Sequence, residues 1–504
     1  MLTLISDLSV SWEKVQVDAH NEKSPVSFAE KDKAINLAKG QKGQPWYKSI
    51  TVEPITFFYA CAMILHTPVI QQYVYSRVAI KRGLSDAIFL SDSSKCEPDV
   101  NMVSFAYRES RNFVQAEASM VHLGIVLSAS VPSIIMALLL GAWSDKVGRK
   151  IVMILPIIGG LVEATFILII MYANLPVYVL FVGSFINGMC GFFTTMILAV
   201  FSYMADITEE SKRALRLGII EAIAFISGMI SHLTSGWWIK HLGFKSPYWL
   251  ILTLHTLNLL YVLFILPETI IKPERKSLQD LFNKSHIKRI IRLFSKASYD
   301  KKWPLIGLML ASAFMMVSSI GFGSVIVLYA LDTPFCCSPI MIGYFLAESM
   351  FVQAIGAMFG FFVLRKCISE MTLTQIGFVS IVSSLVMMAF IKRKLLMFIV
   401  PIIGGFGGVC LPIIRARMSK LVVDDDQGAL FAAVATVETI CTLLGAAVFN
   451  SLYSLTVQHF DFKGLCFLIM AMIMVVPSVV VGLISWGERH NPSRNANADK
   501  LQDT

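Results

Sequence analysis

The feature that most constrains this chain is a succession of apolar runs of about 20 residues, each separated from the next by a polar connection. A run of that length matches the hydrocarbon thickness of a bilayer. Inside hydrocarbon every backbone N–H and C=O must find its partner within the protein, so continuous runs of this kind predict membrane-spanning α-helices. Twelve are read, at about 51–75, 117–142, 151–173, 176–205, 214–239, 246–267, 303–331, 340–364, 372–391, 395–419, 428–456 and 464–487. Composition agrees, since 56% of the 504 residues are hydrophobic and 15% charged, where a soluble protein is roughly 25% charged. The net charge of +9 is spread through the gaps between runs rather than gathered on one face, so nucleic-acid binding is not expected.

The runs divide six and six. Residues 1–50 form a polar tail with no cleavable signal-peptide pattern. A first bundle is expected over 51–267, a central loop over 268–302, a second bundle over 303–487, and a polar tail over 488–504. Lys146, Arg149, Lys150, Lys212, Arg213, Arg216, Arg365, Lys366 and the ten basic residues of 268–302 all fall at one end of the expected helices. The positive-inside rule then places both termini in the cytosol, with Lys392, Arg393 and Lys394 on the minority side. The halves also echo one another at a spacing of about 215 residues, as in transporters built from parallel repeats. Gly141-Ala142 recurs as Gly356-Ala357, Arg149-Lys150 as Arg365-Lys366, and "EESKRAL" as "DDDQGAL".

Between the second and third runs lies "GAWSDKVGRK", residues 141–150. It fits G-x-x-x-D-x-x-G-R-[KR], and with "LPETIIKPE" after the sixth run it resembles the signature of the major facilitator superfamily. "TPVIQQYVY", "LYALDTPFC", "PIIRARMSKLVVDDDQGALFAAVA" and "FNSLY" are similar to the proton-coupled folate transporter and its relatives, solute carrier family forty-six. The resemblance implies an all-α membrane protein of twelve helices in two six-helix bundles, moving solute by alternating access. It implies a gating latch at Gly141, Asp145, Gly148 and Arg149, where a carboxylate beside a helix N-terminus and a guanidinium gains a modest, reversible stabilisation. The bland alternative is a turn that only fixes topology.

Ionisable residues inside spans are costly and therefore candidates for function. Glu221 lies about two turns into the fifth span, and the resemblance assigns it proton coupling. His286, within the basic amphipathic "SHIKRIIRLF", aligns with a histidine linked to proton access, while its neighbours read as a helix on the inner leaflet. Arg415 in "PIIRARM" matches the family's helix-ten arginine and would suit an anion, or else sit at the helix end among carbonyls or headgroups. Glu438 and Glu348 are further carboxylates able to pair with a cation. Gln72, Tyr73 and Tyr344 are uncharged substrate-binding candidates for which ordinary helix packing is equally open. Glu163 and His255 weigh less, because the resemblance puts the third and sixth helices outside the transport cavity. Ser319 stands where the folate transporter has a histidine, and Ser454 where it has a proline.

Five of the nine cysteines fall in or near spans. A Cys96–Cys336 bridge on the outer side has a counterpart in the family, with Cys337 the rival partner. No cysteine–histidine pattern suggests a metal, no cofactor is implied, and neither an ATP-binding loop nor an enzyme's nucleophile–base set occurs. The expected partners are an organic anion, protons and the lipid bilayer, in the plasma membrane first and the lysosomal membrane second. Folates, muropeptides and cyclic dinucleotides remain open as cargo, as does a receptor or scaffold that keeps the transporter fold. Oligomeric state is not legible.

Overall fold

The structure, a computed structural model, describes residues 51–83, 105–208, 210–268, 299–332, 334–364, 367–422, 427–460 and 462–490. Every described element is helical. The order is α1 (Glu53–Lys81), α2 (Phe105–Val147), α3 (Arg149–Ala173), α4 (a 3-10 turn Val177–Val179, then Leu180–Met189 and Phe192–Ile207), α5 (Glu210–Leu242) and α6 (Lys245–Phe264). The second half holds α7 (Tyr299–Leu331), α8 (Pro339–Phe362) and α9 (Glu370–Phe390). It continues with α10 (Lys394–Met397, Ile399–Ile403, a 3-10 stretch Gly405–Val409, and Cys410–Leu421), α11 (Gln427–His459) and α12 (Leu465–His490). Eleven segments among the described residues are long and apolar enough to cross a membrane. With α5 the order contains twelve helices.

Packing repeats between the halves. In the first, α1 lies against α5 and α6, α2 against α4, and α3 against α4 and α6. In the second, α7 lies against α11 and α12, α8 against α10, and α9 against α10 and α12. Each contact of the first set maps onto one of the second when six is added to the helix number, as a duplicated six-helix unit requires. The irregular helices correspond too: α4 breaks at "NGMCGF" and α10 at "IIGGFGGV", where glycine weakens the helix and lets a neighbour's backbone approach. The halves meet chiefly through α2 against α11 and α5 against α8, pairs that exchange under the same symmetry.

The helices connect two ends of this bundle. One, the Arg149 end, carries the α2–α3, α4–α5 and α10–α11 connections; the other, the Asp332 end, carries α3–α4, α7–α8 and α11–α12. Large apolar side chains such as Phe264, Leu395, Leu483 and Trp486 are exposed on the outside, where a bilayer rather than water is their solvent. Thr165, Thr253 and Thr256 each donate to the carbonyl four residues earlier, which satisfies a hydroxyl facing hydrocarbon. One sequence expectation changes: α2 begins at Phe105 rather than near 117, so its first turns, including buried Arg111, belong to the bundle and not to a polar loop. The described residues from Val52 onward belong to one compact unit, and residues 1–50 lie outside the described residues.

Candidate functional site

At the Arg149 end a single residue, Gly148, joins α2 to α3 with φ +126°, a conformation that side chains rarely adopt. A Cβ there would lie 2.5 Å from a carboxylate oxygen of Glu268. That carboxylate accepts from the backbone N–H of Arg149 at 3.0 Å and of Lys150 at 3.2 Å, so it caps the N-terminus of α3 where the helix dipole favours negative charge. Lys150 Nζ donates to the carbonyls of Leu263 and Leu266 at the end of α6, and Arg149 Nε to Asp206 Oδ2 at 2.9 Å at the end of α4. The charged turn thus binds α3, α4 and α6 of its own half together. Asp206 and Glu268 were not singled out by sequence reasoning, although Glu268 is the carboxylate of "LPET". The surroundings of Gly141 and the side chain of Asp145 lie outside what is described.

In the second half, ion pairs between described residues tie the same end. Arg415 Nη2 meets Glu438 Oε1 at 2.6 Å, each side chain 19% exposed, between α10 and α11. Arg417 Nη2 reaches both oxygens of Glu488 on α12 at 2.6 Å, and Lys420 Nζ lies 3.5 Å from Glu370 on α9. Two residues chosen separately in the sequence, Arg415 and Glu438, are therefore one unit.

The Asp332 end is built differently. Asp332 is wholly buried and stands between two cations: Arg111 of α2, 3.4 Å away, and Lys463 from the α11–α12 connection. Arg111 also donates to the Leu331 carbonyl at 3.0 Å and contacts Cys336 Sγ at 3.4 Å. Asp332 shapes its own turn by accepting from the N–H groups of Phe335 and Cys336. Cys336 is disulfide-bonded, and Cys96, its expected partner, lies outside the described residues. Cys337, the rival, is a free buried thiol; burial pushes it up to about 11, with Lys394 opposing.

Further bonds cross between the halves towards the same end. Ser119 Oγ on α2 donates to the Asn450 carbonyl on α11 at 2.9 Å, and Gln71 Nε2 on α1 to the Gly323 carbonyl on α7 at 3.2 Å. Gly236 on α5 lies so close to α8 that a Cβ would come within 2.1 Å of the Pro339 carbonyl oxygen. Near mid-depth, Thr439 Oγ1 meets Thr194 Oγ1 at 3.1 Å. Beside these contacts Gln72 and Tyr73 are buried, with the Gln72 amide and the Tyr73 hydroxyl lacking hydrogen-bond partners. Tyr344 is half exposed on α8, and Glu348 on the same helix has one buried oxygen without a partner. The side chain of Glu221, on α5, and the whole of His286 lie outside the described residues.

Two helix bundles related by a six-helix repeat and joined through α2–α11 and α5–α8 form an arrangement with known relatives. The sequence profile of the Major Facilitator Superfamily matches residues 55–446. The chain belongs to the major facilitator superfamily. Within it, the relatives place the chain in solute carrier family forty-six. The lysosomal proton-coupled steroid conjugate and bile acid symporter SLC46A3 of Gallus gallus is 31% identical over 444 residues, 87% of this chain and 94% of that protein. The proton-coupled folate transporter of Rattus norvegicus is 28% identical over 448 residues, 88% and 92% of the two chains. These relatives are membrane transporters, not enzymes. Among solved structures, the human organic anion transporter MFSD10 (TETRAN) shares the fold with a TM-score of 0.60 at 15% identity, over 87% of this chain and 100% of that one. FucP in the outward conformation does so at 0.53 and 12%, over 86% and 97%. The chain is thus a multi-pass membrane protein of a transporter superfamily.

Proposed function

We propose that the protein is a proton-coupled symporter of an organic anion, with Arg415 and Glu438 as the pair on which substrate and proton meet. The observation that carries this reading is their 2.6 Å contact within the second half. A guanidinium cannot lose its charge, whereas a carboxylate can be neutralised by a proton. Protonation of Glu438 releases Arg415 to hold the anion; loss of the proton restores the internal pair and expels the cargo. Symport follows, because anion and proton occupy the pair together. The names of the relatives, which speak of steroid conjugates, bile acids and folates, support a carboxylate- or sulfate-bearing amphiphile as the cargo.

In this reading both termini face the cytosol, the Asp332 end faces the lumen or exterior, and the bonds between halves at that end act as the outward gate. The word lysosomal in the SLC46A3 relatives' name supports a lysosomal membrane over the plasma membrane, since an acidic lumen would supply the protons. Gly141, Asp145 and Glu221 keep the roles the resemblance gives them, as latch and as a second proton carrier. The test is uptake of a labelled bile acid, a steroid sulfate and a folate by cells displaying the protein at their surface, at about pH 5.5 and 7.4 across the range where protonation switches operate. Acid-stimulated uptake of at least one anion is expected, with Glu438→Gln abolishing the stimulation. Uptake equal at both pH values refutes coupling, and no uptake of any anion by surface-exposed protein favours a receptor.

A further inference from the structure

Outside the inter-half interface, at mid-depth of the first half, α1, α3, α4 and α6 enclose a small cavity with room for about one water molecule. Its lining includes Glu163, His66, His255 and Asn187. Glu163 is 6% exposed, Asn187 1% and His255 2%. Glu163 Oε1 accepts from Ser184 Oγ and Oε2 from Asn187 Nδ2, both at 2.6 Å. The other Asn187 amide atom, Oδ1, and Nδ1 of His255 are buried without partners. His66 Nδ1 contacts the Tyr248 hydroxyl at 3.2 Å.

The backbone makes room for this cluster. Gly159 and Gly160 lie one turn before Glu163 in "PIIGGLVEATF". A Cβ on the first would come within 2.6 Å of Asn187 Oδ1, and on the second within 2.5 Å of His255 Nε2. Paired glycines on α3 therefore admit an amide and an imidazole at the depth of the carboxylate. Apolar packing alone would gain nothing from that arrangement.

We propose that Glu163, with His66 and His255, is a proton-binding site within the first bundle, served by water in this cavity. Among the described residues no lysine or arginine pairs with Glu163, so an ionised carboxylate at this depth would be uncompensated unless a neighbouring imidazole carried the balancing charge. Either way the cluster holds one proton: on the carboxyl, or on an imidazole beside the carboxylate. Taking up a second proton, or giving up the first, changes the net charge of a buried site. The other titratable groups facing it are Tyr59 of α1, Cys190 of α4 and Tyr248 of α6, with His122 of α2 behind His66. Tyrosine and cysteine stay neutral near pH 7. Along α1, little more than a turn from His66, Gln71 bonds both His122 and the Gly323 carbonyl of the other half. A charge change at the cluster thus sits on the helix that helps close the Asp332 end.

As a coupling device the site rests on the proton-driven reading above, but its existence can be tested without any substrate. Detergent-solubilised full-length protein is stepped from about pH 8 to pH 5, and protons taken up per chain are counted with a pH indicator dye. Infrared difference spectra over the same step follow the carbonyl stretch of protonated carboxyl groups. Glu163→Gln is expected to take up about one proton fewer and to lose one carboxyl or imidazolium signal. His255→Gln, which keeps the carboxylate, is expected to move the midpoint of the remaining signal by about one pH unit, a tenfold change in proton affinity. Unchanged proton count and spectra in Glu163→Gln, or an unmoved midpoint in His255→Gln if the first variant does not fold, overturns the proposal and leaves a static polar lock between helices. Transport that ignores pH while the count falls would instead refute coupling and keep the site.

Discussion

The two ends of the bundle use the same kind of bond for opposite purposes. At the Asp332 end, described bonds run from one half to the other, Arg111 to Asp332, Ser119 to Asn450 and Gln71 to Gly323, beside others that stay within a half, Lys463 to Asp332 and Arg82 to Glu117. At the Arg149 end the described ion pairs stay within a half, Arg149 to Asp206, Glu268 to α3, Arg415 to Glu438 and Arg417 to Glu488, and the nearest described bond between halves is Thr439 to Thr194, one residue beyond Glu438. The apolar packing shows the same division. One core cluster joins both halves through residues such as Ile70, Val121, Val327 and Phe345, while a second, with Tyr59, Met153, Val200 and Met204, contains residues of the first half alone. The molecule is closed by contacts between halves at one end, and each half is braced within itself at the other. Opening the Asp332 end would break bonds that have a readable cost, and that cost can be varied.

The largest effect is expected from Asp332→Ala. It leaves Arg111 and Lys463 buried or half-buried without their shared counter-charge, and removing one member of a buried ion pair costs about 3–5 kcal/mol. A cysteine placed at Ser119 should then react with a membrane-impermeant maleimide at least about tenfold faster, since 1.4 kcal/mol is already a factor of ten. An unchanged rate would erase the difference between the ends. Next comes Gly236→Leu, which drives a side chain into the Pro339 backbone; overpacking of about 1–3 kcal/mol should move the same reporter in the same direction. Glu268→Gln at the other end removes a charged cap from α3 and should lower thermal stability by about 1 kcal/mol or less. Because this bond lies inside one half, the Ser119 reporter should stay as in the parent; a shift would show that bracing within a half also sets the gate. The smallest change is read at Cys337. Its raised thiol should resist alkylation near neutral pH and gain reactivity as pH climbs towards about 11, whereas exposed Cys367 should react readily. In Asp332→Ala, faster alkylation of Cys337 would report the same opening from a second position.

Much of this architecture is legible in the chain itself. Long apolar runs leave helices as the backbone's main recourse in lipid, and "GAWSDKVGRK" carries the resemblance to the superfamily signature, with Gly148 supplying the positive φ that a one-residue turn needs. Arg415 and Glu438 could be picked out singly, since charge inside a span is expensive wherever it points. Their pairing could not, because 23 positions separate them and only the crossing of α10 and α11 sets their distance. Arg111 was missed for a related reason: a polar stretch reads as loop until a neighbouring helix buries it. Glu163 was discounted on its helix number, which says whether a helix borders the transport path but nothing about a cavity behind it.

What the sequence by itself determined is the class of structure and the repeat. Hydrophobic length and residue spacing act locally, so twelve helices, two related halves and a charged turn follow from them. What only the tertiary structure decided is which charges meet, and on which side of the interface between halves. Ion pairs depend on distances of a few ångströms between helices far apart in the chain, and no local pattern encodes those. The Asp332 cluster, the Arg415–Glu438 pair and the Glu163 cluster each exist because helix packing brings costly polar groups within reach of one another.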